Sequence, residues 1–400
     1  MIDFKALAQQ YGTPLYVYDF DAMSAQFEAL KEAFRGRKSI LAYAVKANSN
    51  LSVVKHFAQL GAGADCVSIG EVRRALMAGV PKYRILFSGV GKRDDEIREA
   101  IEADILYINV ESEAELGRVE MIARELGQQA RISIRVNPNI DPKTHPYIST
   151  GLHDNKFGVE IDAAKRMYIQ AKNSPHLDPV GIHFHIGSQL TELEPIYEAA
   201  VIVADLLRSL QAIDIELKFF DIGGGLGVRY SDETTIEPYD YAQAVLSALK
   251  GLDVTIVCEP GRFLTANAGY FLTRVLYEKR NGEKRFVVVD GAMNDLIRPS
   301  LYKAYHRIEA LEKSGEESAA DVVGPVCESG DFLAKNYPLP SMEHNDLLIV
   351  HSAGAYGFGM GSNYNTRGRS AEVAIENGKD RLIRRRESFE DVIAFERDYL

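Results

Sequence analysis

From about residue 38 the chain repeats one unit eight times: a short β-branched or aromatic run, a turn signal, then a longer segment with helical spacing. The eight runs are Ser39 to Lys46, Ala62 to Ser68, Ile85 to Val90, Ile105 to Val110, Arg131 to Asn137, Val180 to Gly187, Lys218 to Gly223 and Val254 to Glu259. Between them, stretches such as Leu51 to Leu60, Ile69 to Ala78, Asp94 to Ala103 and Glu113 to Leu126 place apolar residues every three or four positions, the spacing of amphipathic helices. Strict alternation of this kind implies a parallel sheet, and eight units close a (β/α)8 TIM barrel.

After Pro260 the rhythm changes. Tyr270 to Lys279, Arg285 to Asp290, Ala320 to Val326, Asp346 to Ser352 and Ala371 to Arg386 are strand-like runs with few helices between them, and Asn281-Gly282 and Asn377-Gly378 supply hairpin turns. The expected organisation is an α/β chain. It has an N-terminal segment 1–30 pairing with the β domain, a barrel over 31–265, and an antiparallel β-sandwich or barrel domain over 266–400. Ser314 to Ala320 reads as an exposed loop.

Composition narrows the partners. With 46 Lys and Arg against 57 Asp and Glu, the net charge of −11 repels nucleic acid, and the one short basic run, Arg384 to Arg386, reads as a solvated strand end or turn. Three cysteines, Cys66, Cys258 and Cys327, are too few and too odd in number for a disulfide framework, which implies a reducing compartment. The sequence has no signal-like apolar core at its start and no apolar stretch of membrane-spanning length. The expectation is a cytoplasmic protein, unanchored and without a nucleic-acid partner.

A barrel's chemistry gathers at the carboxyl ends of its strands. Lys46, Asp65, His185 to Ser188, Gly223 to Gly225 and Glu259 to Arg262 all fall there. Alone, Lys46 would pass for a snorkelling surface residue. In a low-dielectric barrel mouth, however, a lysine loses its proton more readily, as an amine that forms a Schiff base requires. The glycines of Gly223-Gly224-Gly225-Leu226-Gly227 allow amide hydrogens to converge on an anion, and barrels commonly bind phosphate after strands seven and eight. His183 and His185 lie two apart on one strand face and could chelate a metal, as in a barrel hydrolase. Glu259-Pro260-Gly261-Arg262 argues against that, because an arginine sits awkwardly beside a divalent cation. His185 reads instead as a ring stacked on a planar cofactor, and His183 as structural; no metal is expected. A carboxylate at Glu259 would keep a pyridine nitrogen protonated, and Arg262 can grip a carboxylate or phosphate through two hydrogen bonds.

These segments together resemble the barrel-fold, alanine-racemase-like pyridoxal-phosphate decarboxylases, and within them the branch acting on diaminopimelate. The resemblance rests on Tyr43-Ala44-Val45-Lys46-Ala47-Asn48, Gly181 to Gln189, Glu259 to Arg262, Met293 to Pro299, Cys327-Glu328-Ser329-Gly330-Asp331, Gly354-Ala355-Tyr356-Gly357 and Tyr364-Asn365. It implies that Lys46 anchors pyridoxal 5′-phosphate, His185 stacks on it and Glu259 pairs with its ring nitrogen. Asp65, Ser188, Gly223, Gly224, Gly225, Gly261, Arg262 and Tyr356 would complete the cofactor site. Arg262, Arg298, Tyr302, Glu328 and Tyr356 would bind substrate, and Cys327 would donate a proton. It further implies a homodimer in which Cys327 and Glu328 serve the partner's site. The expected reaction takes meso-2,6-diaminopimelate to L-lysine and carbon dioxide, the last step of lysine biosynthesis. A decarboxylase of another carboxylate-tailed amino acid, such as carboxynorspermidine, is the nearest alternative. Cys66 and Cys258 read as small buried hydrophobes.

Overall fold

The computed structural model describes residues 2–141, 150 and 155–400. The chain divides into two compact units, one of residues 24–228 and 234–263, the other of residues 1–23, 229–233 and 264–400.

After a first strand, β1 (Leu15–Asp19), eight parallel strands form a closed barrel: β2 (Ser39–Ala44), β3 (Gly63–Cys66), β4 (Ile85–Phe87), β5 (Tyr107–Val110), β6 (Ala130–Arg135), β7 (Leu177–His183), β8 (Phe219–Asp221) and β9 (Thr255–Cys258). Ser39 pairs with Ile256 to close the ring. Strands covered by helices outside and side chains inside are buried on both faces, which is why they read as continuous apolar runs. Ala42, Leu86, Leu106, Tyr107, Val180 and Val257 cluster in the barrel core, and burying each large apolar side chain among them contributes about 1.5–3 kcal/mol.

The outer helices start and stop where local chemistry directs. Ser68 and Ser112 cap the helices Ile69–Met77 and Glu113–Leu126 by accepting the amides of Glu71 and Glu115, and Gly127 in the left-handed region ends the second. Residues 142–149 and 151 of the segment 141–151 lie outside the described residues.

The other unit holds a nine-stranded, mostly antiparallel sheet. It contains β1, β10 (Gly269–Asn281), β11 (Lys284–Val289), β12 (Ile308–Ala310), β13 (Ser318–Val323), β14 (Phe332–Leu339), β15 (Leu347–Val350), β16 (Ala371–Glu376) and β17 (Lys379–Arg384). β1 lies between β10, antiparallel, and β16, parallel; β11 and β13 are the second parallel pair. Asn377 and Gly378 both have positive φ and link β16 to β17 through a tight two-residue turn.

Several details depart from the sequence reading. Asn281 pairs with Lys284, so the first hairpin turns on Gly282-Glu283, with the positive φ on Gly282 alone. Ser318 already belongs to β13, and that strand stops at Val323 rather than Val326. β12 and β14 were not anticipated. β14 carries Lys335, Asn336 and Pro338, residues that a sequence reading takes for loop, and it tolerates the proline because it is the edge strand. The basic run ends β17 and finds partners within the chain: Arg384 with Glu387, Arg385 with Asp391, and Arg386 with the carbonyl of Pro14.

Candidate active site

Lys46 sits two residues beyond its strand, in a single 3-10 turn, Val45–Ala47, rather than at the strand's last residue. The turn is held from below by Gly261, where an added Cβ would lie 3.0 Å from the Cβ atoms of both Ala44 and Ala47. Register places Asp65 on β3 opposite Ala44, and the Lys46 Nζ is 3.6 Å from Asp65 Oδ2. Ser88 donates to Asp65 Oδ1 at 2.9 Å, and Asn109 donates to Ser88 at 3.0 Å, a polar chain across three successive strands. Burial, then the nearby Glu259 charge, push the Asp65 carboxyl upward against the pull of Lys46 and Ser88.

His183, Asp221 and Glu259 meet at the ends of β7, β8 and β9. All three are buried, and His183 Nε2 is 3.5 Å from Glu259 Oε2. Burial alone would raise the Glu259 carboxyl; the facing His183 and then Lys46 outweigh it and hold it down at about 2, so it is ionised. Asp221 behaves oppositely: burial, then the Glu259 charge, push its carboxyl well above the ordinary carboxylate value. Its oxygens accept from the amide of Gly223 at 3.0 Å and the hydroxyl of Tyr107 at 2.9 Å. Glu259 Oε1 is buried and has no hydrogen-bond partner.

The ligand atoms of these three residues lie within 4.8 Å of one another, a spacing that suits a cation. The sequence reading did not assemble these two further ligands around His183. Asp221, whose oxygens already accept from two donors, is nonetheless a poor metal ligand, and an unsatisfied Glu259 oxygen suits a cationic N–H donor equally well.

His185, just past β7, carries a half-buried ring whose proton affinity falls well below the usual imidazole value through burial, then the charges of Lys46 and Arg135. Its Nδ1 accepts from the amide of Gly224 at 3.2 Å, so the ring is neutral and fixed. The glycine loop folds against this segment. Gly223 and Gly225 have φ of 64° and 113°, and a Cβ at Gly224 would lie 2.2 Å from the carbonyl of Glu259. Ser188 accepts from Arg262 Nη2 at 3.0 Å. A polar cradle of backbone amides beside Ser188 and a guanidinium suits a phosphate. With a carboxylate lacking a donor and a lysine at the same barrel mouth, the residues fit pyridoxal phosphate.

The barrel therefore brings together Lys46, Asp65, His185, Ser188, Gly223 to Gly225, Glu259, Gly261 and Arg262. The sequence reading missed Ser88, Asn109, Tyr107 and the buried pair Arg135–Glu111, 3.1 Å apart. Asp221 lay within the seventh run, Lys218 to Gly223, and received no role. The available signal was a polar residue interrupting an apolar strand end, as at Asn109 in Tyr107–Val110.

The remaining expected residues belong to the other unit. Arg298 and Tyr302 bound a five-residue helix, and Arg298 is buried. Ser300 donates to the carbonyl of Gly330 at 2.5 Å, tying this helix to the 326–331 loop. Asp331 accepts the amides of Met293 at 2.7 Å and Val326 at 2.8 Å, and Asn365 caps the Cys327 amide at 2.8 Å. Cys327 is exposed, whereas Cys66 and Cys258 are buried, with their thiols pushed well up by burial. Tyr356 takes a positive φ of 54° in the turn after β15.

A family profile described as "Pyridoxal-dependent decarboxylase, pyridoxal binding domain" matches residues 20–266. The chain is 61% identical to a diaminopimelate decarboxylase of Campylobacter jejuni, with all of both chains covered. It superposes with a TM-score of 0.97 on the crystal structure of diaminopimelate decarboxylase from Helicobacter pylori complexed with L-lysine, at 55% identity over all of both chains. The likeness extends to a lysine/ornithine decarboxylase of Vibrio vulnificus complexed with cadaverine, at 25% identity, a TM-score of 0.83 and coverage of 93% of this chain and 95% of that one.

Proposed function

The chain belongs to the pyridoxal-dependent decarboxylase family, and from that premise we propose that it converts meso-2,6-diaminopimelate to L-lysine and carbon dioxide. The observation that carries the reading is Glu259: an ionised, buried carboxylate with one oxygen lacking a donor, at the same strand ends as Lys46 and the glycine cradle. Full-length identity of 61% to a diaminopimelate decarboxylase supports the choice of substrate within the family.

In this reading Lys46 would hold the cofactor covalently, His185 would stack on its ring, and the loop Gly223 to Gly225 would cradle its phosphate with Ser188 and Tyr356. Asp65 and Gly261 fix the lysine. When bound, pyridoxal phosphate supplies an electron sink for the carbon–carbon bond that breaks. Glu259 deepens that sink by holding a proton on the ring nitrogen, which favours decarboxylation over the narrower chemistry an arginine would allow there. Arg262 binds substrate beside the phosphate. Arg298 and Tyr302 hold the distal carboxylate and Glu328 the distal ammonium, a pairing that suits a centre carrying both groups.

The carboxylate leaves as carbon dioxide, and one proton takes its place on the same carbon. Cys327 delivers that proton from Sγ and recovers it from solvent. Cys327 and Glu328 are contributed to the site of a second copy of the chain, making the enzyme a homodimer in a reducing cytoplasm. No helix among the described residues is long and apolar enough to cross a membrane.

Lys46→Ala should lose the visible absorbance of the lysine-bound cofactor, and carboxynorspermidine should be turned over far more slowly than meso-diaminopimelate. Retention of that band in the variant would move the anchor elsewhere, and a preference for carboxynorspermidine would replace the substrate.

A further inference from the structure

The five-residue helix Arg298–Tyr302 ends abruptly. Lys303 adopts a left-handed conformation, and the amides of Lys303 and Ala304 both turn back to the carbonyl of Arg298. This reversal returns the chain so that His306, eight residues on, lies against the Arg298 side chain. His306 is 1% exposed and Arg298 6%. β12 begins two residues later and is locked to β15, with Ile308 opposite Val350 and the amide of His351 donating to the carbonyl of Arg307 at 2.8 Å. The imidazole therefore lies two residues before a strand that the sheet fixes.

Two hydrogen bonds define the tautomer. His306 Nδ1 is 2.9 Å from the carbonyl of His351, which can only accept, so Nδ1 carries the hydrogen. In a neutral ring Nε2 is then a bare acceptor, and Arg298 Nε donates to it at 3.3 Å. A doubly protonated ring would set one N–H against another. Tyr230 completes the enclosure. Its ring meets the imidazole edge-on at 5.7 Å, and the guanidinium carbon of Arg298 lies 5.2 Å from its centroid and 5.9 Å from that of Tyr302.

A guanidinium grips a carboxylate in two planar ways, side-on through Nε and one Nη, or end-on through both Nη groups. With Nε engaged by His306, the side-on mode is used up. We propose that His306 is a positioning residue that locks the Arg298 guanidinium so that its end-on face receives the distal carboxylate of substrate and product. The proposal rests on the reading that Arg298 binds that carboxylate. It makes His306, through its tautomer, a determinant of specificity for carboxylate-tailed diamines.

The test compares His306→Gln with His306→Met in the cofactor-loaded enzyme. The two side chains have similar length, but only Gln restores an acceptor for Arg298 Nε. Inhibition by L-lysine is measured beside inhibition by cadaverine, which is lysine without its carboxylate. His306→Gln should bind lysine within about threefold of the parent, whereas His306→Met should bind it about 10- to 100-fold more weakly, the effect of losing one hydrogen bond to a charged group. KM for meso-diaminopimelate should rise in parallel in the Met variant, more than kcat falls, and cadaverine should bind both variants as it binds the parent. If the Met variant does not fold, His306→Asn takes its place, since it can keep the bond to His351 without an acceptor for Arg298. Equal lysine affinity in the Gln and Met variants, or equal weakening of lysine and cadaverine, overturns the role of His306. If Arg298→Gln itself leaves lysine affinity unchanged, the carboxylate reading of Arg298 fails instead.

Discussion

Gly224→Ala isolates the phosphate cradle from every charged residue around it. An ideal Cβ at this position would lie 2.2 Å from the carbonyl oxygen of Glu259 and 3.1 Å from its carbon. Both obstacles are backbone, and the amide of Glu259 is itself bound to the carbonyl of Gly223 at 2.7 Å, so neither strand end can rotate away alone. Reaching the 3.4 Å of ordinary contact requires a movement of about 1.2 Å, and overpacking of this kind costs about 1–3 kcal/mol. At about 2–4 °C per kcal/mol for a domain of this size, the melting temperature should fall by about 2–12 °C. The same movement displaces the glycine loop proposed to cradle the phosphate and the Gly224 amide bound to His185. The cofactor should therefore be lost at least about tenfold faster, the effect of weakening one or two hydrogen bonds to a charged group. Thermal melts with and without cofactor, together with visible absorbance followed through gel filtration, measure both effects. Gly91→Ala serves as the control, because nothing lies within 4 Å of its Cβ position. A Gly224→Ala protein that melts and retains cofactor like the parent would refute the cradle.

Other perturbations probe separate parts of the account. Glu111→Ala leaves Arg135 buried without its 3.1 Å partner and should cost about 3–5 kcal/mol in denaturant unfolding; a loss below about 1 kcal/mol would contradict the burial argument. Glu71 is pushed up to about 7, chiefly by burial, from an ordinary value of 4.5. Between those values the folded chain holds a proton that the unfolded chain has released, so its contribution to stability falls as pH rises from 4.5 through 7. Glu71→Gln, which can still accept the amide of Val67, should remove that slope and gain up to about 3 kcal/mol at pH 8; an unchanged pH profile would show that Glu71 is not perturbed. Cys327→Ala should slow turnover at least about 100-fold while leaving cofactor absorbance intact, in keeping with general-acid contributions; turnover at the parent rate would require another proton donor.

The barrel was legible because parallel strands buried on both faces must be apolar, and a covering helix must repeat every three to four residues. Leu51–Gln59 and Glu113–Leu126 show the rule at work, each within a residue of its expected end. Lys46 was legible as an anomaly of position, although its seat is a 3-10 turn, which apolar patterning does not distinguish from the end of β2. Ser88, Asn109 and Tyr107 were not legible. Alternation along a strand of three or four residues does not tell which polar side chain points into the barrel, and Asp65, Ser88 and Asp221, which they contact, lie 21 to 114 residues away. Asp221 and Glu259 look alike in sequence, yet the carboxyl of one is pushed up and that of the other held down. That difference arises only in the fold, where burial and the Glu259 charge act on Asp221 while His183, from another strand, and Lys46 outweigh burial at Glu259. In the second unit, β14 was hidden because an edge strand does not need the apolar alternation that identifies a central one.

The central claim is that the chain exchanges one carboxylate for one proton on a single carbon of meso-2,6-diaminopimelate. Turnover of that compound by the cofactor-loaded protein in deuterium oxide, followed by mass and magnetic resonance spectra of the products, tests it most directly. The account predicts one carbon dioxide per L-lysine, with one non-exchanging deuterium at the lysine ε-carbon. Absence of lysine, or carbon dioxide released without matching lysine, would contradict it.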